Sequence, residues 1–187
     1  MMLDTLHDRD TSNIWLDNGG SQMLDNIEQQ TGQIIQLKTL PQTLKTILPK
    51  RWLQPLPHYA QIGDYLFVHA GIHPLQRPEH FLKKPAEFAR LQAQKDEHWA
   101  WIRGTFLQYN GIWHDDPKLT VVHGHTPMFT KPVPSLQNLI DETFFPDENR
   151  RISIDAGAAI APQGIIAAFI NNTIQLHLFQ NNTGWLP

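Results

Sequence analysis

The chain reads as an α/β fold of layered strands and helices that closes on a β-hairpin. Two observations predict it. Short apolar runs rich in β-formers, each bounded by Gly, Pro or Asn, are separated by stretches with helical spacing. At the end of the sequence, 165–170 and 174–179 form two such runs joined by Asn171-Asn172, a pair suited to the positive backbone angles of a hairpin turn.

Taken in order, Asn18, Gly19 and Gly20 make a turn before a helix over Ser21 to Gln30. That helix gathers Met23, Leu24 and Ile27 on one face and stops at Gly32. Pro41 to Leu48 gives another short helix, and Pro49, Pro55 and Pro57 then interrupt the chain. Gly63-Asp64 is a turn that leads into a strand over Tyr65 to His69, ended by Ala70-Gly71. The stretch from Pro85 to Tyr109, with Trp99, Trp101 and Phe106, has a mostly helical pattern up to Asn110-Gly111. A strand follows at Leu119 to Val122 and another at Ile152 to Asp155. Between them, 128–150 carries Pro132, Pro134 and Pro146 with little periodicity, as a long surface loop does.

With 187 residues the chain is long enough to bury a core of its own, and the working organisation is one domain over 1–187. A hydrophobic fraction of 41% and a charged fraction of 18% belong to a globular chain and exclude a disordered or fibrous one. The net charge of -3, with no basic cluster beyond Lys83 and Lys84, speaks against nucleic acid and anionic membranes as partners. No run of apolar residues is long enough for a membrane span, and Met1 to Asp10 lacks a signal sequence. The absence of cysteine removes thiolate metal sites and disulfides and suits a cytoplasmic location. Any metal has to be held by His, Asp, Glu or Asn.

Ten histidines are present, and most, including His7, His58, His80, His98, His114 and His177, read as structural or solvated. His69 and His125 differ in context. Each ends or follows an apolar strand and has small residues beside it, His69 in Val68-His69-Ala70-Gly71 and His125 in Val122-His123-Gly124-His125. Strand ends along one rim of a sheet are where ligands to a shared ion converge. The alternative for each is a half-buried strand-terminal imidazole bonded to a backbone carbonyl.

Phe67-Val68-His69-Ala70-Gly71-Ile72 resembles the Val-His-Ala/Gly-Gly motif of bacterial-type serine/threonine phosphatases in the calcineurin-like metallophosphoesterase superfamily. Gly124-His125-Thr126-Pro127 resembles that family's Gly-His-Thr-Pro motif. Trp101-Ile102-Arg103 resembles its Trp-Ile-Arg segment, and Ile152-Ser153-Ile154-Asp155-Ala156-Gly157-Ala158 is similar to the Ile-Asp-Thr-Gly-Ala strand. The four occur in family order. The resemblance implies that His69 and His125 bind the second metal of a pair, that Arg103 grips substrate phosphate, and that His123 and Asp155 support the site from behind. It implies part of a four-layer α/β/β/α sandwich, and hydrolysis assisted by two divalent metals that lower the pKa of water and share the charge of the transferring group. Manganese is the expected metal, with Fe, Zn or Mg as alternatives. The substrate is expected to be a phosphorylated protein or a small phosphoester.

The family's earlier motifs, Gly-Asp-x-His-Gly, Gly-Asp-x-x-Asp-Arg-Gly and Gly-Asn-His-Glu, are not in this sequence. The resemblance therefore covers the C-terminal portion only, and no residue is assigned as the catalytic acid or base. Gly63-Asp64-Tyr65 imitates the second motif but lacks its continuation. His73 stands where some relatives carry Arg. Two further readings follow: a non-catalytic remnant or interaction module that associates through exposed core or a sheet edge, and a symmetrical diadenosine tetraphosphate hydrolase, for which 128–150 would shape the choice of leaving group.

Overall fold

A computed structural model describes residues 15–47, 56–85, 96–127, 150–155, 163–170 and 173–180. The surface loop expected over 128–150 lies outside the described residues except for Arg150. The chain divides into two compact units, Met1–Pro57 and His58–Pro187.

In the first unit, helix α1 spans Ser21–Thr31 and helix α2 spans Leu40–Ile47. Gly32 ends α1 with φ 68°, in the left-handed region, and its N–H donates to the Glu28 carbonyl at 2.8 Å. Upstream, where a turn was expected, Leu16–Gly20 continues the helix as a π-helical turn. The reason is a close approach. A Cβ on Gly20 would lie 2.6 Å from the Trp15 indole, so only glycine lets the backbone pack on that ring. Trp15, Leu24, Leu40 and Leu44 form the buried cluster of this unit.

The second unit contains a four-stranded sheet in the order β1-β2-β3-β4: Tyr59–Ile62, Tyr65–Val68, Thr120–His123 and Arg151–Ser153. Strands β1 and β2 are an antiparallel hairpin closed at Gly63-Asp64, where Gly63 takes φ 57°. Strands β2, β3 and β4 run parallel, with Phe67 opposite Val122 and His123 opposite Ser153. Parallel strands need a crossover of a dozen residues or more, and the described residues of the β2–β3 crossover include the single-turn helices α3 (Pro78–Phe81) and α4 (Gly104–Leu107) and a 3-10 turn at Trp113–Asp115.

The core of this unit is Leu66, Ile72, Phe81, Leu82, Ile102, Phe106, Trp113 and Val121, with Phe106 stacked on Trp113 at 5.2 Å. Arg151 is buried with it and donates from one guanidinium nitrogen to the Phe106 carbonyl at 2.5 Å and the Tyr109 carbonyl at 3.1 Å. The Phe106 carbonyl also accepts the Tyr109 N–H at 3.4 Å, and the Tyr109 carbonyl lies just past the C-terminal end of α4, where a cation is favourable. His98 is fully buried. Its Nδ1 accepts the Ala100 N–H, so its Nε2–H donates to the Pro85 carbonyl, both at 3.1 Å.

The helical reading of Pro85 to Tyr109 is revised within the described residues. Residues 96–103 form turns, and helix begins only at Gly104. Asp96, at φ 55°, takes backbone N–H groups onto its carboxylate and holds the segment in a loop that local spacing does not encode. Strands β5 (Gln163–Ile170) and β6 (Thr173–Gln180) pair antiparallel with Ile170 opposite Thr173, so the terminal hairpin forms. The architecture is α/β with a mixed sheet.

Candidate functional site

Because β2, β3 and β4 are parallel and in register, their carboxyl ends lie side by side, and the residues just past them are delivered to one rim. His69 follows β2, His125 follows β3, and Asp155 follows β4. Two backbone bonds hold the rim together beyond the strands. The Gly124 N–H donates to the His69 carbonyl at 2.9 Å, and the Ile154 N–H donates to the His123 carbonyl at 2.8 Å. A Cβ on Gly124 would stand 3.7 Å from the His69 carbonyl oxygen and 3.8 Å from the Asp155 Cβ, so Gly124 occupies the ground between the outer two loops.

His125 has φ 67°, and the Thr126 N–H donates to the Gly124 carbonyl across it at 2.8 Å. This is a γ-turn of the less common, strained hand, a backbone state costing on the order of 1–3 kcal/mol that clusters at functional sites. The turn places the His125 ring 5.0 Å from the His69 ring, tilted at 52°. Trp101 meets the His125 ring edge-on at 5.2 Å and walls one side.

The electrostatics keep these imidazoles neutral. Burial pushes His125 down to about 4, and the nearby charges of His69, Arg103 and His123 add to the fall. His69 stays open to solvent at the rim, yet packing around its ring lowers its pKa, with Asp155 acting in the opposite sense. A neutral imidazole offers a lone pair. The His125 Nε2 is buried and has no hydrogen-bond partner, which is costly unless something fills that coordination.

His123, at the end of β3, is buried at 2% exposure, and burial pushes it down to about 4. Its Nδ1–H donates to the Gly124 carbonyl at 3.2 Å and its ring packs edge-on against Phe106 at 4.8 Å, which points it into the core behind the site. Asp155 is half-buried, and its charge acts on both His69 and His123. Arg103 is exposed immediately before α4, outside the helix, and its positive charge is felt at His125. The rim thus brings together His69, His125, Asp155 and the field of Arg103. Trp101 was read from sequence only as part of the Trp101-Ile102-Arg103 motif, with no role of its own, and Asp96 was not singled out. A cavity of about 300 Å³ lies elsewhere, lined by Leu66, Leu82, His114 and Leu119, and none of the rim residues lines it.

The ring centres of His69 and His125 are 5.0 Å apart. With metal–nitrogen bonds of about 2.1 Å, two imidazoles on one tetrahedral ion place their ring centres roughly 5 Å apart. Among the described residues, no group of three or more His, Asp or Glu side chains is arranged as a complete metal site. Comparison of the chain with models of known protein families, with curated proteins and with solved structures finds no match.

Proposed function

We propose that this chain carries the second-metal half of a phosphoester hydrolase of the calcineurin-like, serine/threonine phosphatase type. The observation that supports this reading best is the 5.0 Å approach of the His69 and His125 rings, with the His125 Nε2 buried and unpartnered beside it. In this reading His69 and His125 hold a divalent cation, manganese above iron, zinc or magnesium. The four-stranded sheet is one of two that pack in an α/β/β/α sandwich. When bound, a pair of such cations lowers the pKa of a water and shares the charge of the transferring phosphoryl group.

The chain's own residues supply the rest of its share. Arg103 presents two parallel N–H donors to phosphate oxygens, a match for a tetrahedral anion that a Lys ammonium does not reproduce. Trp101 limits water on one side of His125, which strengthens electrostatic interactions at the rim. Asp155 sets a negative charge behind His69 and His123, opposing the loss of basicity that burial causes. The substrate class is a phosphorylated serine or threonine side chain or a small phosphoester.

One observation favours a second reading. Two imidazoles alone rarely hold a catalytic metal pair, and no third His, Asp or Glu joins them among the described residues. A non-catalytic module that associates through exposed core or a sheet edge follows from that. Titrating the chain with manganese and measuring hydrolysis of an aryl phosphate separates the two. Manganese-dependent turnover that disappears in His69→Ala and His125→Ala supports the hydrolase, and a folded chain that neither binds manganese nor hydrolyses the ester supports the module.

A further inference from the structure

The residue immediately before α4 has an irregular backbone, φ -135° and ψ -80°, and that residue is Arg103. Its conformation is set from a distance. One carboxylate oxygen of Asp96 accepts the Arg103 N–H and the other accepts the Thr105 N–H, both in short bonds. A single side chain therefore fixes the peptide on either side of the Arg103–Gly104 junction. Asp96 itself sits at φ 55°, a left-handed conformation that Asp tolerates because its short side chain can bond locally. A Cβ on Gly104 would lie 3.5 Å from the second carboxylate oxygen, so the carboxylate fills the space against that turn.

We infer that Asp96 is a positioning residue for Arg103: its carboxylate clamps the backbone on both sides of the α4 start and so aims the guanidinium across the rim toward His125. The inference rests on the reading of Arg103 as the group that meets phosphate. Asp96 is not itself a phosphate ligand, because its negative charge would repel the anion. Burial acts to raise the Asp96 pKa, but the Arg103 and Thr105 N–H bonds outweigh it and hold the carboxyl below its usual range, so both oxygens remain acceptors at neutral pH. The geometry also ranks the substitutions. Asn in place of Asp keeps one acceptor but turns an amide NH2 toward the second N–H, whereas Ala removes both acceptors.

The test is a double-mutant cycle read by calorimetric titration of inorganic phosphate into the manganese-loaded chain, with manganese affinity and the urea unfolding midpoint measured alongside. Arg103→Ala is expected to weaken phosphate binding about tenfold, of the order of one charge-assisted contact. Asp96→Ala should weaken it nearly as much and Asp96→Asn by a few-fold, with manganese affinity unchanged. The Asp96→Ala/Arg103→Ala pair should bind no more weakly than Arg103→Ala alone, because an aim has no value without the group being aimed. A purely structural Asp96 would instead add its own loss to the double variant. If Asp96→Ala does not fold, Asp96→Asn carries the same cycle. Full additivity, or an unaffected phosphate affinity in both Asp96 variants, overturns the inference while leaving the phosphate role of Arg103 standing. An unaffected affinity in Arg103→Ala brings down both.

Discussion

Replacing Gly71 by alanine should destabilise the fold by about 2–4 kcal/mol, and the structure gives the reasons separately. A Cβ at Gly71 would fall 2.5 Å from ring atoms of Phe106, inside any real contact distance. Phe106 cannot simply move aside. It is fully buried, stacked on Trp113 at 5.2 Å and met edge-on by His123 at 4.8 Å. Overpacking of this kind costs about 1–3 kcal/mol, and the backbone adds about 1 kcal/mol because Gly71 has φ 154°, where L side chains are strained. Gly63→Ala is the control. It has a positive φ of 57° with nothing within 4 Å of its Cβ, so it should cost only the backbone share. The assay is urea unfolding followed by tryptophan fluorescence, with m held constant between variants. Because the clash is with one ring, Gly71→Ala/Phe106→Ala should cost clearly less than the two single changes added together. Equal losses in Gly71→Ala and Gly63→Ala, or strict additivity with Phe106→Ala, would refute the packing argument.

Arg151→Met should cost about 2–4 kcal/mol in urea unfolding, since it strips the buried Phe106 and Tyr109 carbonyls of their shared donor; a loss below about 0.5 kcal/mol would contradict that bond pair. The metal-free chain should lose stability in acid. His123 titrates near 6.5 when unfolded and at about 4 when folded, so the unfolded state binds the extra proton between these values. Stability is then full above 6.5 and falls as pH drops toward 4, by about 3 kcal/mol from this group. His123→Leu should flatten that part of the pH profile, and an unchanged slope would argue against a neutral buried His123. His98 acts in the same sense, because burial lowers its pKa, and protonating its Nδ1 would also break the Ala100 bond. The acid limb should therefore shrink again in His98→Gln.

How far the sequence carried depended on whether the determining forces were local. The β2 and β3 runs were legible because strands buried in a parallel array read as short apolar stretches, and Gly63-Asp64 announced a turn before β2 but not the hairpin it closes. β1 was not, since all of Tyr59–Ile62 is exposed and carries no alternation to detect. α1 was legible from its spacing and its Gly32 stop, whereas the π-helical turn before it depends on Gly20 packing against Trp15. The loop holding Arg103 was misread as helix because the Asp96 clamp is a tertiary arrangement with no local signature. His69 and His125 could be paired in advance from their strand-end positions and their motif resemblance. Their separation depends on a γ-turn at His125 that only the backbone reveals.

Everything functional in this account depends on one ion bridging His69 and His125, and manganese titration followed by electron paramagnetic resonance reads it directly. The account predicts saturable binding with imidazole nitrogen coupling to the bound metal, and a marked loss of affinity in either His69→Ala or His125→Ala. Binding that survives both substitutions unchanged, or no binding by the folded chain, would contradict it.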